Sequence, residues 1–246
     1  MNSGMYSALS GNLMAMKRMD IISNNLANVN TPGYKKDRML FESMLAGNAN
    51  PPAVPQGSTA DPILLKDSVI IDYSPGTVSQ TGNNLDLAID GDGLFVVQKG
   101  GGVAYTRAGD FVVDVNRMLV TQQGYPVLDT AGHTITLPQQ NFTVGSDGTI
   151  SWTNPAGATV FGPRVALVGW PPGGVTRLGE NLYAAGGALA PATGQIRQET
   201  LEGSNTDVAL AMSDMIALQR NFQMSSRALS LQDGTIGDAT QLGRLR

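Results

Sequence analysis

Two stretches, one toward each end of the chain, carry apolar residues at helical spacing, and neither can bury its stripe alone. Toward the C-terminus Val208, Met215, Phe222, Leu229 and Ile236 recur every seven residues. Ala211 and Leu218 hold the companion position, which turns polar at Ser225 and Gln232. Toward the N-terminus Met5, Leu9, Leu13, Met16, Met19, Ile22, Leu26 and Val29 recur every three or four residues. Both patterns draw an apolar stripe along one side of a helix. The spacing predicts a helix over about 3–29, stopped by Asn30-Thr31-Pro32-Gly33, because proline disfavours the helical state before it and glycine permits a turn. A final helix is predicted from Asn205 or Thr206 as cap, with Asp207 at its positive end. It runs to about residue 233 and resumes after Gly237. Stripes of this kind need a partner: each other, in a hairpin packed on the rest of the chain, or copies in neighbouring subunits.

Between the helices the period changes. Val69-Ile70-Ile71-Asp72-Tyr73 opens a series of short β-type runs, and Leu85-Asp86-Leu87-Ala88-Ile89 alternates apolar with polar or small residues. Leu94-Phe95-Val96-Val97, Phe111-Val112-Val113, Met118-Leu119-Val120, Thr134-Ile135-Thr136-Leu137 and Val165-Ala166-Leu167-Val168 follow. Turn residues separate them: Gly91-Asp92-Gly93, Asp114-Val115-Asn116-Arg117 and Gly145-Ser146-Asp147-Gly148. This reads as a mainly β central domain, a sandwich or irregular barrel, flanked by N- and C-terminal α-helices that form a coiled-coil-like assembly unit. The expected boundaries are 1–45 plus 205–246 for the helical assembly domain, 46–68 for a Pro-rich linker or extended arm, and 69–204 for the β domain. A second short helix is expected over 36–45.

Composition narrows the function. The formal net charge of -4 argues against nucleic acid as a partner. No apolar run is long enough for a membrane span, so membrane insertion is not expected. The opening Met1-Asn2-Ser3-Gly4-Met5-Tyr6 lacks a basic segment before an apolar core, so a cleaved signal peptide is not expected. There is no cysteine, hence neither a disulfide nor a thiolate metal site.

Catalytic motifs are missing in turn. The single histidine, His133, sits in the turn-like Thr130-Ala131-Gly132-His133, and no Gly-x-Ser-x-Gly accompanies it. Asp90-Gly91-Asp92-Gly93 begins like a calcium loop, but its twelfth position is Gly101 instead of a bidentate glutamate. Gly100-Gly101-Gly102 lacks the lysine and hydroxyl of a phosphate loop and reads as a hairpin loop. The carboxylates Asp86, Asp90, Asp92, Asp110, Asp114 and Glu180 are scattered. The expectation is no catalytic residue, no cofactor and no metal.

Five blocks, in order, resemble one family. Ile22-Ser23-Asn24-Asn25-Leu26-Ala27-Asn28-Val29-Asn30-Thr31-Pro32-Gly33-Tyr34-Lys35 is similar to the N-terminal signature of flagellar basal-body rod and hook proteins. Leu85-Asp86-Leu87-Ala88-Ile89-x-Gly91-x-Gly93-Leu94-Phe95 resembles the first β block of that family, and Tyr105-Thr106-Arg107-x-Gly109-x-Phe111 its next. Leu178-Gly179-Glu180-Asn181-Leu182-Tyr183 fits a late β block. Leu201-Glu202-Gly203-Ser204-Asn205, with Met215-Ile216-x-x-Gln219-Arg220-x-Phe222, resembles the C-terminal signature.

The resemblance implies a structural rod subunit, not an enzyme. It would pass through the flagellar type III export apparatus without a cleaved signal peptide and polymerise in the periplasm as part of a torque-transmitting drive shaft. Its partners would be copies of itself and neighbouring proximal and distal rod proteins. The block 201–205 and the run Met212-Ser213-Asp214-Met215-Ile216 look more like a proximal than a distal rod member. The Gly-rich stretch usual in the distal type is missing at 56–63. The implied self-assembly residues are Leu9, Leu13, Met16, Met19, Asn24, Asn25, Leu26, Asn28, Pro32, Gly33 and Tyr34, then Val208, Met215, Leu218, Phe222 and Leu229. The competing reading is a secreted β-rich carbohydrate-active enzyme, which a carboxylate pair in a deep cleft would favour.

Overall fold

Short β-prone runs punctuated by Gly, Asp and Asn turns build the middle of the chain, and a long helix lies to either side in sequence. The computed structural model describes residues 2–43, 65–138, 141–154 and 156–243. Packing divides the chain into two units. One holds Met1–Ala27, Asp37–Asp72 and Asp207–Arg246; the other holds Asn28–Lys36 and Tyr73–Thr206.

In the first unit, α1 (Asn2–Ala27) and α2 (Val208–Gly243) pack along each other. The less exposed positions of α1 include Asn12, Ala15, Met19, Ile22 and Leu26; those of α2 include Ala211, Met215, Leu218, Phe222 and Ser225. Steps of three and four residues keep each set on one face. Asp207 caps α2, its carboxylate accepting from the Leu210 amide at 3.1 Å, so neither Asn205 nor Thr206 is the cap. α2 also runs unbroken through Gly234 and Gly237, where an interruption is expected from sequence. One interior glycine costs only about 1 kcal/mol, less than breaking a helix already propagating on both sides.

Residues 44 and 45 lie outside the described residues. Within 36–45, where a helix is expected, Asp37–Ser43 instead forms β1. It pairs with β2 (Leu65–Ile71) from Asp37↔Ile71 to Ser43↔Leu65. The Asn25 side chain fixes the start of the ribbon, accepting from the Asp37 amide and donating to the Asp37 carbonyl, both at 2.9 Å. A seven-residue ladder with a distant partner overrides the helical preference of Met39-Leu40-Phe41-Glu42. β2 starts inside the stretch read as linker; the Pro-rich residues 48–62 lie outside the described residues.

The second unit is β throughout. Its first strands are β3 (Val78–Gln80), β4 (Leu87–Asp90), β5 (Leu94–Lys99) and β6 (Gly102–Thr106). The largest sheet is antiparallel, ordered Leu167–Val168, β5, β6, Leu182–Ala185, Val175–Gly179. β5 and β6 meet at the two-residue loop Gly100-Gly101, both with left-handed φ, the loop expected of those glycines. The unbroken run Leu94-Phe95-Val96-Val97 is buried on both faces. Phe95 and Val97 join Leu87, Ile89, Phe111, Ile135, Ile150 and Leu182 in the main core, while Val96 packs with Leu128 and Ala166. Phe95 and Phe111 meet edge to face, centroids 5.1 Å apart. Burying each such side chain stabilises the unit by about 1.5–3 kcal/mol.

A three-stranded sheet (Thr143–Val144, Thr149–Thr153, Thr159–Arg164) and smaller pairs complete the unit. Among these pairs β4 runs with Gln195–Gln198 and β3 with Thr200–Glu202. The chain is thus mainly β with an N-terminal and a C-terminal helix, as the sequence pattern indicates.

Candidate functional site

The end of the N-terminal signature is not part of the helix that precedes it. Asn28–Lys36 folds into the β unit. Two turns carry it, the Thr31 amide donating to the Asn28 carbonyl and the Tyr34 amide to the Thr31 carbonyl, each at 3.2 Å. Gly33 follows with φ 64°, and its amide donates to the Glu202 carbonyl at 2.7 Å. A Cβ at Gly33 would lie 2.3 Å from the Arg107 carbonyl carbon, so only glycine fits.

This close approach delivers Lys35 to a buried charge cluster. Its ammonium donates to Glu202 Oε1 at 2.7 Å and to the Ser74 carbonyl at 2.8 Å. Arg107 Nε donates to Glu202 Oε2 at 2.5 Å. The remaining Arg107 donors bind the Gly93, Ile89 and Gly91 carbonyls at 2.5, 2.7 and 2.8 Å. The Asp90-Gly91-Asp92-Gly93 turn is therefore organised around a guanidinium, through backbone carbonyls. The Gly76 amide completes the Glu202 shell at 2.9 Å. The side chains of Lys35, Arg107 and Glu202 are only 1–4% exposed. Burial pushes the Glu202 pKa up, but the Arg107 charge, the Lys35 hydrogen bond and the Gly76 amide outweigh it, so the carboxyl is held below its ordinary value. With two cations and one anion in a dry site, every donor must be matched.

A second layer covers the cluster. Arg177 donates to the Lys35 carbonyl and lies over the Tyr34 and Tyr183 rings, 4.5 and 5.5 Å from their centroids. Trp170 packs edge to face on Tyr183 and stacks on Tyr73. Asn181 donates to the Pro32 carbonyl at 2.8 Å. Asn205 ties three chain segments: its Oδ1 accepts from the Lys36 amide at 2.7 Å, its Nδ2 donates to the Ser74 carbonyl and hydroxyl at 3.1 Å, and its own amide donates to the Tyr34 carbonyl at 3.3 Å. Lys36, Ser74 and Asn205 stand beside three of the points where the chain passes between units. The β unit thus ties together three of its four chain exits.

The expected assembly residues fall into distinct environments. Gly33 and Tyr34 are buried in the β unit, where Asn28 and Pro32 are half-buried. Asn25 is buried against β1, Leu26 and Met19 are half-buried, and Asn24 is exposed. Leu13 and Met16 are exposed at 60% and 51%. On α2, Met215, Leu218 and Phe222 are half-buried and Val208 is exposed. Leu218 and Phe222 line a hollow with Asn12, Met14 and Ala15 of α1. The Leu9 and Leu229 side chains lie outside the described residues.

Sequence reasoning passed over two sets of residues. One is the trio Lys35, Arg107 and Glu202, each inside a signature block. For Glu202 the signal is a lone charge between Leu201 and Gly203 in a chain only 15% charged; Lys35, next to Lys36, and Arg107, next to Thr106, carry no such signal. The other is the apolar flank of α2 off the heptad: Leu210, Met212, Ile216, Met224 and Leu231, all 51–72% exposed.

Of the scattered carboxylates, Asp86 and Asp110 meet at a β-bridge. Burial first, then the Asp86 charge, raises the Asp110 pKa. Glu180 lies on the surface with Tyr125 and Lys99. His133 is an exposed turn residue, its amide bound by Asp129. Among the described residues no group of three His, Asp or Glu could hold a metal.

The three signature blocks that converge on this cluster are matched by known proteins. The family model for flagella basal body rod proteins matches residues 5–35. The hook protein FlgE/F/G D1 domain matches 88–152, and the basal body rod FlgEFG C-terminal region matches 197–242. The flagellar basal-body rod protein FlgG of Bacillus subtilis is 38% identical over 98% of both chains. The chain belongs to the flagellar basal-body rod protein family. The rod protein FlgF of Caulobacter vibrioides is 33% identical over 93% of both chains, and FlgF of Escherichia coli 31% over 98% of both. Rod proteins of both types therefore match along nearly the full length, and the similarity does not divide them.

Proposed function

We propose that this chain is a non-enzymatic structural subunit that polymerises into the flagellar rod through the apolar flank of its helical unit. The carrying observation is an imbalance on the two helices. They bury one stripe against each other, yet Leu13 and Met16 on α1 and Leu210, Met212, Ile216, Met224 and Leu231 on α2 remain largely exposed. Apolar side chains in that number on one helix pair call for a further partner, and the relatives are rod proteins by name. The partners are copies of this chain and neighbouring proximal and distal rod proteins, meeting head to tail so that the contact stays open and forms a helical lattice.

Export through the type III apparatus and assembly in the periplasm complete the reading, supported by the family resemblance. Within the rod we place the chain in the proximal position, on the 201–205 block and the 212–216 run. Complementation of strains lacking either rod protein tests that placement; rescue of the distal deletion alone would reverse it.

The assembly surface is tested with Ile216→Asp in the full chain. Burying an unpaired carboxylate at an apolar seam costs several kcal/mol. The variant should keep the helicity and thermal midpoint of the wild-type monomer but give no basal bodies and no motility. Phe222→Asp, by contrast, should lower helicity in the monomer itself, since Phe222 faces α1. Normal rods from Ile216→Asp would defeat the assignment.

A further inference from the structure

A polar groove opens on the β unit and shares no lining residue with the charge cluster. One chamber, about 700 Å³, is lined by Trp152, Glu199, Asn84, Asn141, Thr153 and Thr159. A second chamber of about 940 Å³ continues it, sharing Asn84 and Asn141. Gln198 stiffens the floor, donating to the Asn84 and Phe142 carbonyls at 2.8 and 3.2 Å and accepting from the Val144 amide at 3.0 Å.

Two observations mark the groove as more than a surface crease. Glu199 is a non-glycine residue held at φ 59°, with its carbonyl accepting from the Thr81 and Gly82 amides at 2.7 and 3.4 Å. Left-handed backbone at a glutamate is strained, and such strain persists where surrounding structure imposes it. Glu199 is also half-buried, and its carboxylate makes no hydrogen bond or ion pair among the described residues. The side-chain amides of Asn84 and Asn141 and the hydroxyls of Thr153 and Thr159 likewise make no hydrogen bond among the described residues.

The chemistry of this wall selects a ligand class. The Trp152 chamber offers neutral groups that both donate and accept, one anion, one indole ring and no cation among the described residues; the adjoining chamber adds Asp114 and Arg117, one charge of each sign. The carboxylate repels phosphates and acids, and the polar lining does not reward a purely apolar molecule. A pyranose suits it: hydroxyl groups donate to Glu199 and exchange hydrogen bonds with the amides, while the apolar ring face covers Trp152. We propose that this groove binds a neutral oligosaccharide. One carboxylate in the Trp152 chamber, with no second acid lining it among the described residues, makes it a binding site and not a hydrolytic one. The proposal goes beyond rod assembly and gives the subunit a hold on polysaccharide.

The full chain is titrated with a β-1,4-linked N-acetylglucosamine tetramer and, separately, a β-1,4-linked glucose tetramer, followed by saturation-transfer NMR and calorimetry. Binding of the first alone means that the amides read an acetamido group; binding of both means that the ring hydroxyls suffice. Glu199→Gln should weaken binding about tenfold, the usual worth of hydrogen bonds to a charged acceptor. Glu199→Gly separates function from fold: it relieves the left-handed strain, so its melting temperature should rise while sugar binding is lost. The proposal is overturned if neither tetramer binds the wild type, as expected were the occupant a polypeptide, or if Glu199→Gly binds as tightly as wild type.

Discussion

Glu202→Gln should destabilise the β unit more than a change of one atom type suggests. In the native cluster Glu202 is the anion that both Lys35 and Arg107 pair with, and the three side chains are 1–4% exposed. Glutamine keeps the shape but removes the charge, and its amide nitrogen must face either the Lys35 ammonium or Arg107 Nε, donor against donor. Breaking a buried ion pair by removing one partner costs about 3–5 kcal/mol. Total stabilities of domains run about 5–15 kcal/mol. The midpoint should therefore fall by roughly 10 °C or more. Urea unfolding followed by tryptophan fluorescence measures this directly, since Trp152 and Trp170 both lie in the β unit.

Lys35→Met is the necessary comparison. It leaves Glu202 paired with Arg107 and the Gly76 amide, so the loss should be about 1–2 kcal/mol. The double variant should lose less than the sum of the two, because the residues share one network. A Glu202→Gln variant within about 0.5 kcal/mol of wild type, or Lys35→Met more damaging than Glu202→Gln, would refute the reasoning. The pH dependence has a defined sign. The folded pKa of Glu202 lies below its ordinary value of 4.5. Its contribution is therefore fully present above that value and is lost as the pH falls through the depressed folded value. Glu202→Gln should not show that component of acid destabilisation.

Two further outcomes follow from local geometry. Gly33→Ala places a Cβ 2.3 Å from the Arg107 backbone, so the segment must shift; amide exchange across Asn28–Lys36 should accelerate markedly, and unchanged protection would show that the turn tolerates a side chain. Asp207→Ala removes the cap of α2 and should cost about 1 kcal/mol, read as a lower midpoint in helical circular dichroism, whereas Asp207→Asn should restore most of it; equal loss in both would assign the effect to charge instead of capping.

Much of this protein is legible in its sequence because it follows from local chemistry. The two helices follow from three- and four-residue apolar spacing, which depends only on nearby residues. The β middle and its turns at Gly100-Gly101 and at Asp114-Val115-Asn116-Arg117 follow from conformational preferences written into single residues. Asp114 shows why: its carboxylate accepts from the Asn116 and Met118 amides within the same short loop. The family was legible for a different reason, since its signature blocks are contiguous strings.

What the tertiary structure decided is non-local. Asp37–Ser43 is a strand because Leu65–Ile71 pairs with it, and the local sequence favours a helix there. Lys35, Arg107 and Glu202 sit in three different blocks, with Glu202 167 positions from Lys35 and 95 from Arg107, and nothing in any one block says that its charge is buried. The heptad showed that α2 has an apolar stripe, but not that α1 would take up Leu218 and Phe222 and leave Ile216 and Met224 outside. Periodicity states that a face must be covered; only packing in three dimensions determines which neighbour covers it and which apolar side chains remain exposed.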